Sequence, residues 1–395
     1  MLHKLCLQIP SRRVGSAGNR AATDFFARSV ASFGFETESQ RFDCIDWTSE
    51  GARLAVDGDL FRAFVGPYSL GGQVRAPLVV ASTLQELEAT EAEGKIILLC
   101  GDLAKEQLMP KNFPFYNPDE HKRIISLLET KQPAAIVAAT TRDPGMAGAL
   151  YPFPLIEDGD FDVPSVYMTD VEGSRLAQYA GEEVSLDIRA ERHPSWGCNV
   201  VARKGGDPAR RLVFFAHIDA KVGTPGAIDN GTGVVLLLLL AELLADYGGD
   251  LGVEIVALNG EDYFSAPGEQ LWVSQNAGRF GAIVLGINMD GAGYRDGDTA
   301  FSLYDCPLDI AKAIHAAFSA RKDMVEGEPW YQSDHSLFIQ NQRPALAITS
   351  SHFAALWTEI AHTAKDRPEI VDPAKLVDIA LALRDLLLHL DRLPV

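Results

Sequence analysis

The sequence of 395 residues is long enough for two to three domains, and such a chain can bury a large core without help from disulfides or metals. Apolar residues make up 47% and charged residues 23% of the chain, as in an ordinary globular protein. With 35 Lys and Arg against 54 Asp and Glu, the net charge of −19 argues against nucleic acid or an anionic membrane as the main partner, because phosphate contacts need clustered basic side chains.

Neither a membrane span nor a signal peptide is indicated by the apolar pattern. The apolar run Val234–Ala241 has eight residues, whereas a membrane-spanning helix needs about 20. Met1–Arg13 contains no apolar segment of signal-peptide length. The five cysteines stand far apart and form no CxxC pair, which favours reduced thiols over a disulfide framework. We therefore expect a cytoplasmic protein, and the sequence leaves open a secreted mature form.

A change of periodicity marks the first elements of the chain. Apolar residues recur at helical spacing over Ala21–Phe33, and Gly34 follows as a helix stop. Phe35–Phe42 then alternates between apolar and polar residues, which is typical of a strand.

A different texture begins at about Trp47 and lasts to Pro194. Short apolar runs separated by turns dominate this part of the chain, and long periodic helices are few. The most distinct runs are GKIILLCGD (94–102), PAAIVAAT (133–140) and VPSVYMT (163–169). Between the first two lies a helix-like stretch, His121–Thr130. We therefore expect a small β-rich domain over residues 47–194, inserted into a domain built from residues 1–46 and 195–395.

After Pro194, strand-like and helix-like segments alternate regularly. The predicted strands are Asn199–Ala202, Leu212–Ala216, Val253–Leu258, Ala282–Asn288 and Ala345–Thr349. The predicted helices are Gly231–Tyr247, Gly268–Ala277, Pro307–Arg321 and Pro373–Leu390. Such alternation is typical of a largely parallel sheet with helices on both faces, so the predicted fold class is α/β.

Polar side chains directly follow three of these predicted strands. His217 and Asp219 follow the first, Glu261 and Asp262 follow the second, and Asp290 follows the third. Ligand sites in open α/β sheets lie outside the carboxyl ends of the strands, so these side chains are expected at one edge. Any one Asp in such a place is most often a cap or turn residue, and only their joint occurrence points to a site.

Two further segments contribute candidate ligands. Asp229 lies in the glycine-rich turn Gly226–Gly233, which opens the leucine-rich helix, and a carboxylate is favoured near a helix N-terminus. His362 lies in a loop between the last strand and the C-terminal helix. Two imidazoles with several carboxylates suit zinc or another divalent metal. A carboxylate shared by two ions would give a two-metal hydrolytic site.

Six segments occur in the order and approximate spacing of a known family. They are HID (217–219), GAIDNGTG (226–233), NGED (259–262), NMDG (288–291), SDHSLF (333–338) and AHT (361–363). They resemble the co-catalytic zinc aminopeptidases of metallopeptidase clan MH, family 28. RVGSAGN (13–19), followed by a helix and a strand, is similar to the start of that family. The resemblance implies a mixed, mostly parallel sheet flanked by helices, as in the zinc-exopeptidase or phosphorylase/hydrolase-like fold.

The middle of the chain resembles the protease-associated domain that is often inserted in these enzymes. This second resemblance rests on the three apolar runs of residues 94–102, 133–140 and 163–169. The inserted domain is expected to serve as a lid or a partner surface and to carry no chemistry of its own.

The family resemblance implies a ligand set for two divalent ions, taken to be zinc. His217 and Asp290 would bind one ion, Asp262 and His362 the other, and Asp229 would bridge the two. The sequence itself does not distinguish zinc from cobalt or manganese, because the ligand types suit all three.

The same resemblance implies roles for two further carboxylates. Glu261 becomes the general base, and Asp219 orients His217, since a metal-bound His commonly donates its other N–H to a carboxylate. The implied function is an aminopeptidase that hydrolyses the N-terminal peptide bond of peptides with a water activated by two metal ions.

Two positions depart from the family pattern. The family usually has Glu at position 262, and Asp262 is one methylene shorter, which bears on the position, affinity or identity of the metal. The family often has Tyr immediately before the last His, as a donor to the tetrahedral intermediate, and this chain has Ala361. Tyr331 and His335 are the alternative candidates for contact with the substrate.

Three other functions remain open from the sequence. A carboxypeptidase would need a positioned Arg, for which Arg295 and Arg343 are candidates. A glutaminyl-cyclase-like enzyme would use one metal ion, and a receptor-like binding protein would not need a base such as Glu261 beside a metal. An acidic site favours an α-amino group, so peptides with a free N-terminus are the predicted partners. The oligomeric state is not indicated by the sequence.

Overall fold

The computed structural model describes residues 1–9, 11–142, 148–263 and 265–392. The chain forms two compact units. Unit 1 comprises Met1–Cys44, Pro114–Tyr116 and Trp196–Val395, and unit 2 comprises Ile45–Phe113 and Asn117–Ser195. Residues 393–395, the end of the predicted first domain, lie outside the described part of the chain.

The helices and strands below are those of the described residues. The strands are β1 (Glu36–Val56), β2 (Asp59–Phe61), β3 (Phe64–Val65), β4 (Gly72–Ala81), β5 (Ile96–Leu99), β6 (Ala135–Thr140), β7 (Ser165–Thr169), β8 (Glu183–Gly205), β9 (Asp207–His217), β10 (Leu251–Leu258), β11 (Ile283–Met289), β12 (Thr299–Tyr304), β13 (Met324–Glu326) and β14 (Ala345–Ser350). The α-helices are α1 (Ala17–Ser32), α2 (Leu84–Ala89), α3 (Asp119–Lys131), α4 (Asp170–Leu176), α5 (Thr232–Leu243), α6 (Pro267–Asn276), α7 (Leu308–Ser319), α8 (Ser336–Gln340), α9 (Phe353–Glu359) and α10 (Pro373–Leu390).

Unit 1 is built on a mixed sheet whose central strands are parallel. The strand order is β13-β12-β14-β11-β9-β10-β8. Strands β14, β11, β9 and β10 run parallel to one another, whereas β8 and β12 run antiparallel to their neighbours β10 and β14. The predicted α/β fold with a mixed, mostly parallel sheet flanked by helices is confirmed.

Both faces of this sheet are covered, which explains the unbroken apolar runs of its strands. Phe214 of β9 belongs to a core shared with helices α1, α5, α7 and α10. Its neighbour Phe215 points to the other face, because successive side chains of a strand alternate. There the Phe215 ring packs edge-on against Trp272 of α6 with ring centroids 4.7 Å apart, and it also contacts Phe338 of α8. Because both faces of such a strand are buried, apolar residues follow one another along it without alternating polar residues.

Unit 2 has its own core, and its helix α3 covers the predicted helical stretch His121–Thr130, whereas α2 and α4 were not indicated by the sequence. Strands β4, β5, β6 and β7 are successive parallel neighbours, and β3 pairs antiparallel with β7. Parallel neighbours need crossover connections, and α2 and α3 lie in the first two of these. Ile97, Ile124 and Leu128 lie in the core of this unit. None of the described helices in either unit is long and apolar enough to cross a membrane.

Candidate active site

The candidate site lies at the carboxyl edge of the unit 1 sheet, where the sequence predicted it. His217 is the last residue of β9, and Asp290 directly follows β11. Glu261 and Asp262 follow the end of β10 by a few residues, and His362 follows β14 after helix α9. Since β9 lies between β10 and β11 and all three are parallel, their carboxyl ends meet at one edge.

The predicted ligands form two groups that share one carboxylate. The first group is His217, Asp229 and Asp290, and the second is Asp229, Asp262 and His362; within each, the ligand atoms lie within 4.8 Å of one another. All five predicted metal ligands are thus brought together, with Asp229 between the two imidazoles.

Distances around Asp229 show the geometry of this sharing. Its Oδ1 lies 3.2 Å from Nε2 of His217, and its Oδ2 lies 3.1 Å from Nε2 of His362. Nε2 of His217 is 3.8 Å from Oδ1 of Asp290, and Nε2 of His362 is 3.3 Å from Oδ1 of Asp262. Each group therefore contains one of the two carboxylate oxygens of Asp229.

This donor set fits two divalent ions. Two ligand atoms of a tetrahedral zinc site, each about 2.0–2.2 Å from the metal, lie about 3.4 Å apart. The observed separations of 3.1–3.8 Å bracket that value. Moreover, Nε2 of His217 is buried without a hydrogen-bond partner among the described residues, which a metal ion would provide. Imidazole nitrogens and carboxylate oxygens are the ligand types of zinc and related metals.

The turn that carries Asp229 is fixed from both sides. Gly226 opens it with a φ of 59°, and the peptide bond between Asp229 and Asn230 is cis. The Asn230 amide donates to the carbonyl of Met289, at the end of β11, and its oxygen accepts from the N–H of Gly233 in α5. The turn is thereby tied to the strand that precedes Asp290.

Asp219 connects two of the loops at this edge. Its Oδ1 accepts the backbone N–H of Gly260 at 2.8 Å, and its Oδ2 accepts that of Asp262 at 3.0 Å. The distance from Asp219 Oδ1 to Nδ1 of His217 is 3.8 Å, longer than a hydrogen bond. In this structure the buried Asp219 therefore holds the backbone around Glu261, while its predicted role in orienting His217 stays a prediction.

The electrostatics of the two groups favour positive charge between the carboxylates. Burial lowers the pKa of His217, but the carboxylates of Asp219, Asp229 and Asp290 outweigh burial and raise it well above its ordinary value. Burial also lowers the pKa of His362, but the carboxylates of Asp229 and Asp262 outweigh burial and raise this pKa to about 9. A divalent cation bound here would supply the positive charge that these carboxylates favour, in place of the imidazole protons.

Glu261 belongs to neither ligand group and is half-buried beside both. Burial raises the pKa of Glu261 well above its usual range; His217 opposes this, and the carboxylates of Asp262 and Asp290 add to it. A carboxyl whose pKa is raised by burial next to candidate metal ligands is suited to take up and release a proton.

Several residues that support the site were not singled out from the sequence. Ser333 donates to Asp290 at 2.8 Å and accepts from the Asn288 amide at 2.9 Å. Asp334 and Glu269 are fully buried, and none of their carboxylate oxygens has a hydrogen-bond partner among the described residues. For Ser333 and Asp334 a signal existed, because both lie in the segment SDHSLF; for Glu269 we find none.

The two predicted substrate-binding residues differ in exposure. The side chain of Tyr331 is 56% exposed. His335 is buried, its Nε2 lies 2.6 Å from the carbonyl of Trp330, and burial lowers its pKa to about 4. Ala361, which stands where the family often has Tyr, is buried.

A series of packed aromatic rings leads from this part of the chain to the second ligand group. Trp330 packs against Phe353 with ring centroids 5.1 Å apart, and Phe353 stacks on Trp357 at 6.2 Å. The Trp357 ring in turn meets the ring of His362 edge-on at 4.9 Å. The His362 ligand therefore has an apolar neighbour in Trp357.

Arg343, one candidate for holding a substrate carboxylate, is engaged elsewhere. Its guanidinium donates twice to the carbonyl of Ile283, at 2.9 and 2.6 Å. Ile283 begins β11, whereas Asp290 follows the other end of that strand. The side chain is therefore bound at the edge of the sheet opposite to the candidate site.

Comparison with known proteins gives the family. Residues 199–387, which contain every predicted metal ligand, match Peptidase family M28. This part of the chain belongs to peptidase family M28. This match supports the predicted peptidase family over the part of the chain that carries the candidate site.

The relatives of this chain are distant in sequence. The chain is 26% identical over 362 residues to a probable leucine aminopeptidase 2 of Aspergillus fumigatus, a match that covers 85% of this chain and 67% of that protein. It is 24% identical to the probable lipoprotein aminopeptidase LpqL of Mycobacterium tuberculosis, over 71% of this chain and 54% of that one. The chain thus spans about half to two thirds of these relatives.

Solved structures share the fold over nearly the whole chain. An aminopeptidase from Aneurinibacillus sp. strain AM-1 aligns with a TM-score of 0.76 at 21% identity, over 98% of this chain and 91% of that one. BSAP, a zinc aminopeptidase from Bacillus subtilis, aligns with a TM-score of 0.71 at 18% identity, over 98% and 92%. At these identities the likeness establishes the fold.

Proposed function

We propose that this M28 peptidase is a metal-dependent aminopeptidase that hydrolyses the N-terminal peptide bond of peptides. The observation that carries the proposal is the carboxylate of Asp229, shared between two groups that each contain a His and a second Asp, with Glu261 beside them. The relatives support it, since they are described as leucine, lipoprotein and zinc aminopeptidases.

In this proposal, His217 and Asp290 would hold one divalent ion, Asp262 and His362 would hold the second, and Asp229 would be a ligand shared by both. Zinc is the proposed metal, because the ligands are two imidazoles and three carboxylates and a structural relative is described as a zinc enzyme. The chemistry supplied by two bound ions is a lowered pKa for water and polarisation of the scissile carbonyl.

Glu261 is the proposed general base. It accepts the proton of the attacking water and passes it to the nitrogen of the departing amine, a role for which its raised pKa and its freedom from both ligand groups suit it. Asp219 keeps Glu261 in place, because its carboxylate binds the backbone N–H groups of the residues on either side.

Selectivity for the N-terminus follows from the charge of the site. Two divalent ions would offset the ligand carboxylates, and Glu261 and Asp219 then remain as acidic groups that favour the α-ammonium group of a free N-terminus over a C-terminal carboxylate. Arg343, which could have held such a carboxylate, is bound to the opposite edge of the sheet. We propose the exposed Tyr331 as a residue that contacts the peptide, and residues 47–194 as a protease-associated-like domain.

The test uses purified protein supplied with zinc and one pool of synthetic peptides, read by mass spectrometry. The pool contains peptides with a free amino terminus, the same peptides with a blocked terminus, and peptides that begin with Gln. Stepwise loss of N-terminal residues from the unblocked peptides alone is expected. Loss from the C-terminus would favour a carboxypeptidase, cyclised Gln would favour a cyclase, and no reaction would favour a binding protein.

Replacement of Glu261 tests the proposed base. Glu261→Gln removes the proton acceptor but no metal ligand, so we expect kcat to fall by about 10²- to 10⁴-fold while two metal ions remain bound. The control is Glu242→Gln, at an exposed position of α5, which should behave like the wild type. A Glu261→Gln protein that keeps full activity would refute the assignment.

A further inference from the structure

Arg12 is buried, and its guanidinium is bound to backbone carbonyls. The residue as a whole is only 4% exposed. Nε donates to the carbonyl of Ile218 at 2.9 Å, and Nη2 donates to that of Gly226 at 2.7 Å. Nη1 donates to the carbonyls of Pro225 at 2.9 Å and Leu5 at 3.0 Å. A charge that is buried in this way is stabilised only as long as its donors are matched by acceptors.

The carbonyls bound by Arg12 lie at the two ends of one segment of the candidate site. Ile218 stands between His217 and Asp219, and Pro225 and Gly226 precede Asp229 by three or four residues. The segment between them links the first His to the carboxylate that both groups share. One planar guanidinium thus sets the distance between the start and the end of this connection.

The contact is close enough to constrain the residue type at position 226. A Cβ atom added to Gly226 would lie 2.6 Å from Nη2 of Arg12, and the φ of 59° at this glycine is one that other residues rarely adopt. The backbone of the turn therefore approaches the guanidinium directly, with no side chain between them.

The same turn is held on its N–H groups by a second buried residue. The carboxylate of Asp366 accepts the N–H of Ile228 at 2.7 Å and that of Asp229 at 3.1 Å. Asp366 lies four residues after His362, so it joins the turn to the loop of the second His. Arg12 therefore supplies the connection to the His217 side, and Asp366 supplies the connection to the His362 side.

We propose that Arg12 is a positioning residue of the candidate metal centre, which fixes Asp229 relative to His217 by bridging the carbonyls of Ile218 and Gly226. The inference rests on the proposed two-metal site. Groups that hold the ligands of a metal in place typically contribute about 10- to 100-fold to its affinity. Because the contact is to neutral carbonyls, the planar arrangement of donors matters here as well as the positive charge.

The experiment measures zinc binding by competition with a chromophoric chelator, together with thermal unfolding of the metal-free proteins. The variants are Arg12→Met and Arg12→Lys, compared with the wild type. Phe318→Leu in α7 is the control, because it removes core volume from the same unit without touching the candidate site. We expect two zinc ions in the wild type and a loss of affinity of about 10- to 100-fold in Arg12→Met.

Arg12→Lys separates charge from geometry and covers the case in which Arg12→Met does not fold. Lys keeps the positive charge, so we expect Arg12→Lys to fold. Its ammonium group lacks the planar set of donors, so we expect this variant to bind zinc nearly as weakly as Arg12→Met does. For both variants we also expect kcat to fall with little change in KM, since the peptide does not contact Arg12.

The outcomes distinguish this inference from the proposed function. If the wild type binds fewer than two ions, the two-metal proposal fails, and this inference fails with it. If the wild type binds two ions and both Arg12 variants bind them as tightly, only the inference fails. It also fails if Phe318→Leu, at an equal loss of thermal stability, weakens zinc binding as much as the Arg12 variants do.

Discussion

Single residues at the candidate site differ in how well their charge is compensated. Asp229 lies between two imidazoles, which oppose the effect of burial and hold its pKa well below its usual range. Asp334 has no such neighbour at hydrogen-bond distance, and both of its oxygens lack a partner among the described residues. Burial raises the pKa of Asp334 to about 8. His217 lowers this pKa, whereas the nearby carboxylates of Asp290, Asp219 and Asp262 raise it further.

This difference predicts how stability depends on pH. Between about pH 4 and pH 8, folded metal-free protein holds a proton on Asp334 that the unfolded chain, with a pKa near 3.9, has lost. Folding therefore takes up a proton in this window, so the contribution of Asp334 to stability is lost progressively as the pH rises from about 4 to about 8. We predict that Asp334→Asn, which does not titrate, loses about 3–4 kcal/mol less stability than the wild type between pH 5 and pH 8, because linkage contributes about 1.4 kcal/mol per pH unit in this window.

Urea denaturation in the presence of a chelator, at pH 5 and at pH 8, measures this effect. Asp246→Asn, at an exposed position, is the matched control and should follow the wild type. If the wild type and Asp334→Asn lose the same stability between the two pH values, the raised pKa of Asp334 is refuted.

At the scale of elements, the start of helix α5 has to pack closely against the site. Its residues Leu236, Leu237 and Leu238 are all buried, so the leucine run seen in the sequence is a core helix. At Gly233, an added Cβ would lie 2.3 Å from Oδ1 of Asn230 and 2.4 Å from the carbonyl of Met289. The absence of a side chain there lets the helix meet both the Asp229 turn and the end of β11.

We predict that Gly233→Ala destabilises the protein by about 1–3 kcal/mol and lowers peptidase activity, because the added methyl group forces this packing apart. Thermal unfolding and peptide hydrolysis measure the two effects. Gly248→Ala is the control, since a Cβ at Gly248 meets no atom within 4 Å. Equal melting temperatures of the two variants would contradict the close packing of Gly233.

The elements also differ in how well the sequence indicated them. The predicted helix Pro373–Leu390 coincides with α10, and the predicted strand Val253–Leu258 lies within β10. The sequence did not indicate strand β12, because this strand contains no long apolar run, although its first four residues are buried. In the structure β12 pairs antiparallel with β14. Its pairing partner, not its local pattern, makes it a strand.

At the scale of the whole molecule, candidate metal groups among the described residues occur in unit 1 alone. Their ions would bind the folded state and stabilise it by about 4 kcal/mol at a metal concentration a thousand times the dissociation constant. Unit 2 has a core of its own, built around residues such as Ile97 and Leu128, and contains no such group in its described part.

We therefore predict that removal of metal has a local effect, which hydrogen exchange with mass spectrometry can map. Chelation should increase exchange in residues 217–231 and 258–263, which contain or adjoin the proposed ligands, and leave strands β5, β6 and β7 unchanged. Excess zinc added after the chelator should reverse the effect. Increased exchange in both units, or in neither, would contradict the placement of the metal in unit 1.

The sequence by itself determined the α/β class and the positions of His217, Asp290 and Asp262. Apolar runs define strands locally, and the residues that end parallel strands meet at one edge whatever else the chain does. The sequence did not reveal the contacts that hold these side chains in place. The contact of Arg12 with Gly226 joins residues 214 apart, and that of Asp366 with Ile228 joins residues 138 apart.

Only the tertiary structure could decide such contacts. A hydrogen bond between distant residues leaves no periodic pattern in the sequence, because it depends on how loops from different strands come together after the sheet has formed. The same holds for the buried carboxyls of Asp334 and Glu269, whose burial is set by the packing of α6 and α8 beside the sheet. The residues that the sequence identified could hold two metal ions, and the fold determines how firmly they are held.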